Sequence, residues 1–304
     1  MTQETTWCPD TPYPKGSIQR IDGCRWICKQ SHTSENEFNK KLWSKIDKAK
    51  DQIEPDMSTK LFTSMSKEYY DNVGRAMLRS YKVNWSRLAP MYVYNEAAFR
   101  VKVKGVTSLG WQLGNDYLSF MRRHTNDKVK TFAKKGFSVI HAMENLDCDK
   151  LVWIDADVIF TQEMPSNMFD LLCPQDALSA HFSVWHEVDG KHYHSCETGF
   201  FILNKKHPMF EEFLNTYKNI YLRDDAADLR RFYDGEVYGK TVKILEAKGA
   251  KMINLNPGPH KTPISRSVLA PYLSHFKAGL KDKVDFDALV NEVAPGSIEE
   301  HDEE

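Results

Sequence analysis

No run among these 304 residues approaches 18 consecutive apolar positions, so no membrane-spanning helix is expected. The opening MTQETTWCPDTPYPKG lacks a basic stretch followed by an apolar one, so no secretory leader is read there. These two absences lead to the expectation of a cytoplasmic location, or of a chain trimmed of its anchor. Excess charge is also missing. The chain has 41 basic and 42 acidic residues, a net charge of −1, and so no global attraction to DNA, RNA or an anionic membrane. Cysteine is scarce, with only Cys8, Cys24, Cys28, Cys148, Cys173 and Cys196, in spacings unlike those of a disulfide scaffold. Reduced thiols are the simplest account. Cys8, Cys24, Cys28 and His32 leave a small zinc site open, although the C-x-x-x-C spacing has no second matching pair. Internal repeats are absent.

What is present is a chain able to bury a large core, 41% hydrophobic and 12% aromatic. Residues 1–57 are polar and read as an irregular arm with one helix near Asn36 to Asp51. Lys60 to Met65 (KLFTSM) reads as the first buried strand. Ser66 is placed to cap a helix whose apolar face holds Tyr70, Val73, Met77 and Tyr81, and Pro90 to Tyr94 reads as the next strand. That succession is a parallel strand–helix–strand unit. Helices are expected over Asn115 to His124 and Asp127 to Leu146, with Gly136 a candidate kink. Lys150 to Ile154 (KLVWI) is continuous enough for a strand covered on both faces. Strands at Ala177 to Val184, Gly199 to Leu203 and Lys251 to Leu255, and helices at Pro208 to Leu222 and Glu236 to Lys248, complete the pattern. The fold class is therefore α/β with a mainly parallel sheet flanked by helices. Residues 58–283 form the expected single domain, and 284–304 a tail, acidic and partly disordered towards its end.

Chemistry concentrates at Trp153-Ile154-Asp155-Ala156-Asp157-Val158. Two carboxylates two positions apart after a buried strand repel unless a cation lies between them. Hard oxygen donors suit Mg²⁺ or Mn²⁺, and such an ion can bridge a diphosphate. The plain alternative is a turn with both aspartates solvated. A second motif is His275-Phe276-Lys277-Ala278-Gly279-Leu280-Lys281. Its imidazole is a candidate third ligand, better suited to Mn²⁺ than to Mg²⁺. Gly279 permits close backbone approach to a phosphate, and Lys281 offers it a positive charge.

An Asp-x-Asp at a strand end, followed more than 100 residues later by a His…Gly…Lys motif, resembles the GT-A glycosyltransferases, and distantly the glycogenin-like family 8. Here the glycine falls one place later than in that family's pattern, and Asp282 and Lys283 follow the lysine. The resemblance spans residues 58–283 and implies a GT-A catalytic domain. It implies that Asp155, Asp157 and His275 hold Mn²⁺ (or Mg²⁺) and that Lys281 contacts the diphosphate of a nucleotide-sugar donor, a UDP-sugar. It implies transfer with retention; the acceptor stays open among a glycan, protein, small molecule or modified nucleobase, the last because Arg122 to Lys135 is basic.

By the same resemblance, Thr63, Ser64 and Tyr70 are candidates to receive the nucleoside, with a core-facing Tyr70 as an equal alternative, and Lys134, with Lys135, to lie near the donor, with solvated lysines as the simpler account. Glu197, in Cys196-Glu197-Thr198-Gly199, is a candidate for sugar binding or catalysis, with capping as the alternative. Asp234 is a candidate acceptor-orienting residue or base, with N-capping of its helix as the alternative. His181, His186, His192 and His194 cluster locally and suit an acceptor loop better than a metal. Two rivals stay open: a haloacid-dehalogenase-like phosphatase with Asp155 as nucleophile and Asp157 as acid/base, and a non-catalytic nucleotide-sugar or nucleic-acid binding module.

Overall fold

A computed structural model describes the backbone of five short strands within residues 12–46, and residues 58–96, 99–101, 103–110, 114–227, 229–256, 258, 263–277 and 284–294. The five early strands are β1 (Pro12–Tyr13), β2 (Ile18–Ile21), β3 (Cys24–Cys28), β4 (His32–Thr33) and β5 (Trp43–Ile46). β2, β3 and β5 form an antiparallel sheet, with Cys28 opposite Trp43. The helix expected near Asn36 to Asp51 is therefore replaced, over Trp43–Ile46, by a strand. Apolar ends around a polar Ser-Lys pair make too short a run to decide helix from strand, and pairing with β3 decides it. The zinc candidates concern side chains outside the described residues.

The main sheet is built as the apolar runs require. β6 (Thr59–Met65) ends at Ser66, whose hydroxyl accepts the Tyr69 amide at 3.1 Å and so caps α1 (Lys67–Tyr69). A π-helical turn over Tyr70–Gly74 carries the chain into α2 (Arg75–Asn84), then β7 (Met91–Asn95) and β8 (Val106–Leu109). α3 (Gly114–Arg123) and α4 (Asp127–Asn145) precede β9 (Lys150–Ile154), and β10 (Val158–Phe160) follows after a three-residue turn. α5 (Met168–Leu172), β11 (Ser179–Val188), β12 (Lys191–Asn204), α6 (Phe210–Leu222), α7 (Asp234–Ala247), β13 (Met252–Asn254), β14 (Leu273–His275) and α8 (Phe286–Val293) complete the order.

Seven strands form one sheet in the order β13-β11-β12-β9-β6-β7-β8. β9, β6, β7 and β8 run parallel, as do β11 and β13; β12 is antiparallel to both its neighbours. β9 is buried along its whole length, and its alternate residues serve two cores. Leu151 and Trp153 join Phe137, Phe213, Tyr217 and Tyr238 on one face, while Val152 and Ile154 join Leu61, Met77, Trp85 and Phe160 on the other. This two-sided burial is why the run KLVWI shows no alternation.

α2 anchors the segment after β9. The Ser80 hydroxyl accepts the Phe160 amide at 3.1 Å, the Asn84 side-chain amide donates to the Phe160 carbonyl at 2.7 Å, and the Trp85 indole donates to the Gln162 carbonyl at 3.1 Å. Residues 284–294, assigned to the tail from sequence, include α8, which packs Phe286, Val290 and Ala294 against Val73, Ala76 and Ile159. No described helix is long and apolar enough to cross a membrane.

Candidate active site

The chain leaves β9 at its carboxyl end, and residues 155–157 turn it into β10. β10 pairs antiparallel with β14, setting Val158 opposite His275. The Phe276 amide donates to the Asp157 carbonyl at 3.0 Å and extends that pairing. Two segments more than 100 residues apart are thereby clipped together. His275 Nε2 lies 3.2 Å from Asp157 Oδ1 and 3.9 Å from Asp155 Oδ2, and its Nδ1 lies 3.8 Å from Glu197 Oε1.

β12 brings Glu197 to the same point. The Asp155 amide donates to the Gly199 carbonyl at 2.9 Å, and the Gly199 amide donates to Glu197 Oε1 at 3.1 Å. A side chain at position 199 would run into the His275 imidazole, so glycine is what lets the ring lie against this strand. Asp155, Glu197 and His275 each present one ligand atom within 4.8 Å of the others. Two carboxylate oxygens and an imidazole nitrogen form a donor set that fits Mn²⁺, and Mg²⁺ less well.

Ammonium groups surround the acids. Lys135, on α4, donates to Asp155 Oδ1 at 2.6 Å and to the Thr198 carbonyl at 2.6 Å, and lies 3.0 Å from Asp234 Oδ2. Its Nζ also sits 4.9 Å from the Trp153 ring centre. Burial opposes its charge, but Asp155 and Asp234 outweigh burial and push its pKa up to about 12. Asp155 Oδ1 accepts a further bond from the Trp153 indole at 2.7 Å. Asp234 opens α7 and is buried; its Oδ2 accepts the Thr198 hydroxyl at 2.6 Å. Lys277 pairs with Glu197. Burial pulls the Lys277 pKa down from its ordinary value, while Asp155 and Asp157 work the other way. Lys134 pairs with Glu96 at 2.9 Å.

These groups line one cleft of about 820 Å³. Ser64, Lys134, Asp155, Asp157, Glu197, Asp234 and His275 all border it. Thr63 and Tyr70 do not: Thr63 is fully buried in β6, and Tyr70 packs in the core with its ring 5.7 Å from that of Phe99. Gly279 and Lys281 lie outside the described residues. Tyr69, Lys277 and Trp153 are among the cleft residues not singled out from sequence. Tyr69 hydrogen-bonds to Asp157, and burial, then Asp157 and Asp155, raise its pKa far above the ordinary phenol value. The helical stripe that identified Tyr70 is the core-facing stripe, so the neighbour about 100° around the helix is the one that looks outward. Lys277 was legible as the position two beyond His275, on the same side of an extended segment. Trp153 carries no such mark, because its indole N–H reaches the site from a core position.

No family model matches the chain, and no curated protein matches it. Solved structures do resemble it. They include the galactosyltransferase LgtC, solved with donor and acceptor sugar analogues, at 12% identity and a TM-score of 0.49 over 79% of this chain and 98% of that one. The glycosyltransferase GlyE of Streptococcus pneumoniae TIGR4 resembles it at 10% identity and a TM-score of 0.47, over 77% and 62%. A glycosyltransferase involved in glycosylation of the PBCV-1 major capsid resembles it at 12% identity and a TM-score of 0.42, over 74% and 99%. Likeness of this degree fixes no activity.

Proposed function

We propose that this chain is a GT-A-type, divalent-metal-dependent glycosyltransferase that moves a sugar from a nucleotide diphosphate sugar, a UDP-sugar, to an acceptor. The observation that carries this reading is the convergence of Asp155, Glu197 and His275 within 4.8 Å at the carboxyl end of the central strand. Ligands of open α/β sheets bind at that end. Asp157, 3.2 Å from the imidazole, completes the anionic side. Mn²⁺ or Mg²⁺ held there supplies stabilisation of the charge on a departing diphosphate.

The chain's own residues do the rest. Ser64, Tyr69 and Lys134 border the part of the cleft beyond β6 and β7, where the nucleotide enters. Asp234, paired with Lys135 and bonded by the Thr198 hydroxyl, lines the cleft where it can fix a sugar hydroxyl. Glu197 and Asp234 each already face an ammonium group, so neither is suited to act as a free general base. This supports retention of configuration, with the departing phosphate oxygen taking the acceptor's proton.

A panel of nucleotide sugars tests the proposal, with Mn²⁺, Mg²⁺ or chelator, read by thermal shift and donor hydrolysis beside an aryl phosphate control. A UDP-sugar stabilises the protein only with metal, and Asp157→Ala abolishes the shift while leaving the fold. An equal shift in chelator, or turnover of the aryl phosphate alone, refutes it.

A further inference from the structure

The order of the strands divides the cleft into two ends. β9 carries the carboxylate turn at the middle, β6 and β7 lie to one side, and β12 and β11 to the other. Val184, His186 and Ser195 line the β11–β12 end, joined by Phe132 from α4, by Arg230 and Tyr233 before α7, and by Glu236 in its first turn. The donor accounts for the β6–β7 end and the centre and leaves this end unassigned.

We propose that the β11–β12 end is the acceptor subsite and that the acceptor is a carbohydrate, its ring packed on the Phe132–Tyr233 aromatic pair and its hydroxyls bonded to His186 and Ser195. This rests on the glycosyltransferase reading. The first support is charge. Arg230 and Glu236 pair at 3.0 Å, so the fixed charges at this end cancel. A nucleic acid acceptor brings a phosphate with every nucleotide and needs uncompensated cations, which are not found among the described residues lining this end.

The second support is shape and hydrogen bonding. The rings of Phe132 and Tyr233 lie 4.3 Å apart at 32°, one over the other, and both are half-buried where they line the cleft. On the lining of the same cleft His186 Nε2 lies 2.8 Å from Ser195 Oγ. A hydroxyl and an imidazole can each donate or accept, as the hydroxyls of a sugar do. Aromatic rings and convertible hydrogen-bonding groups lining one cleft match a molecule with C–H faces and hydroxyl edges.

Saturation-transfer NMR on the full chain with UDP and Mn²⁺ tests this. The probes are glucose, galactose, mannose, N-acetylglucosamine, lactose and maltose, set against a serine-containing peptide and a short single-stranded RNA. At least one sugar gives a signal, and His186→Ala and Tyr233→Ala each weaken its binding by roughly tenfold, the scale of one lost hydrogen bond or ring contact. His186→Gln and Tyr233→Phe keep most of it. The UDP–Mn²⁺ thermal shift persists in all four variants. Signals from peptide or RNA with none from any sugar, or sugar binding undiminished in both alanine variants, overturn the proposal. Loss of the UDP–Mn²⁺ shift in the unaltered protein instead defeats the reading beneath it, so the two failures appear with different ligands.

Discussion

Replacing Lys135 with methionine probes the electrostatics of the cleft most directly. The ammonium group has three N–H donors, and Asp155, Asp234 and the Thr198 carbonyl take them at 2.6, 3.0 and 2.6 Å. Methionine fills similar volume but leaves two carboxylates facing each other without their cation. Removing one partner of a buried ion pair typically costs ~3–5 kcal/mol. The Asp234 side chain is 9% exposed, but that of Asp155 is 27% exposed and water screens part of its charge. The lower end, about 3 kcal/mol, is therefore expected. That corresponds to a fall in Tm of roughly 6–12 °C. The sign with pH follows from linkage. In the native protein the Lys135 pKa is raised to about 12, so its contribution is complete at neutral pH and lost only as pH rises through that value. The deficit of Lys135→Met is therefore the same at pH 6.5 and pH 8, both well below that value. Guanidinium unfolding at pH 6.5 and pH 8 measures both effects. A loss below about 1 kcal/mol, or a deficit present at one pH and absent at the other, refutes the account.

Two glycine substitutions test close approaches. Gly199→Ala drives a methyl group into the His275 imidazole, itself held 3.2 Å from Asp157. The expected result is loss of the metal-dependent UDP thermal shift with an unchanged far-UV circular dichroism spectrum; a full shift shows that the ring yields. Gly136→Ala sets a methyl group into the Tyr221 ring, between α4 and α6. Overpacking of ~1–3 kcal/mol exceeds the helix-propensity gain of ~1 kcal/mol, so net destabilisation in chemical denaturation is expected. A more stable variant contradicts it.

Gly136 shows one way in which sequence and structure diverge. From sequence it is a candidate kink; in the fold it lies within one continuous helix, Asp127–Asn145, and its missing side chain is where Tyr221 fits. A tertiary neighbour leaves no local trace. Local signals read well where local physics decides: the cap at Ser66, the buried run of β9, and the aspartates after it. β10 and β14 were not legible, since three-residue strands carry too little pattern and exist because they pair with each other. Yet that pairing delivers His275 to the aspartates. The link between the two motifs came from resemblance, and its cause is a strand pair that neither motif announces. Glu197 was legible as a polar residue before Thr-Gly, but its approach to His275 depends on the register of β12 against β9.

The balance of charge argues for a metal more strongly than any single carboxylate. Among the described residues lining the cleft, Glu96, Asp155, Asp157, Glu197, Asp234 and Glu236 face Lys134, Lys135, Arg230 and Lys277, an excess of two negative charges. Each of these four cations is matched already: Lys134 to Glu96, Lys135 to Asp155 and Asp234, Arg230 to Glu236, and Lys277 to Glu197. A diphosphate entering such a cleft by itself meets net repulsion, because its apparent partners are committed and the surplus has its own sign. The lysines alone therefore make a poor phosphate site. A divalent cation supplies the charge that is lacking, and it is drawn to where Asp155, Glu197 and His275 converge. On the proposed reading, nucleotide binding depends on the metal's charge, and lysine count is a misleading guide to phosphate affinity in this cleft.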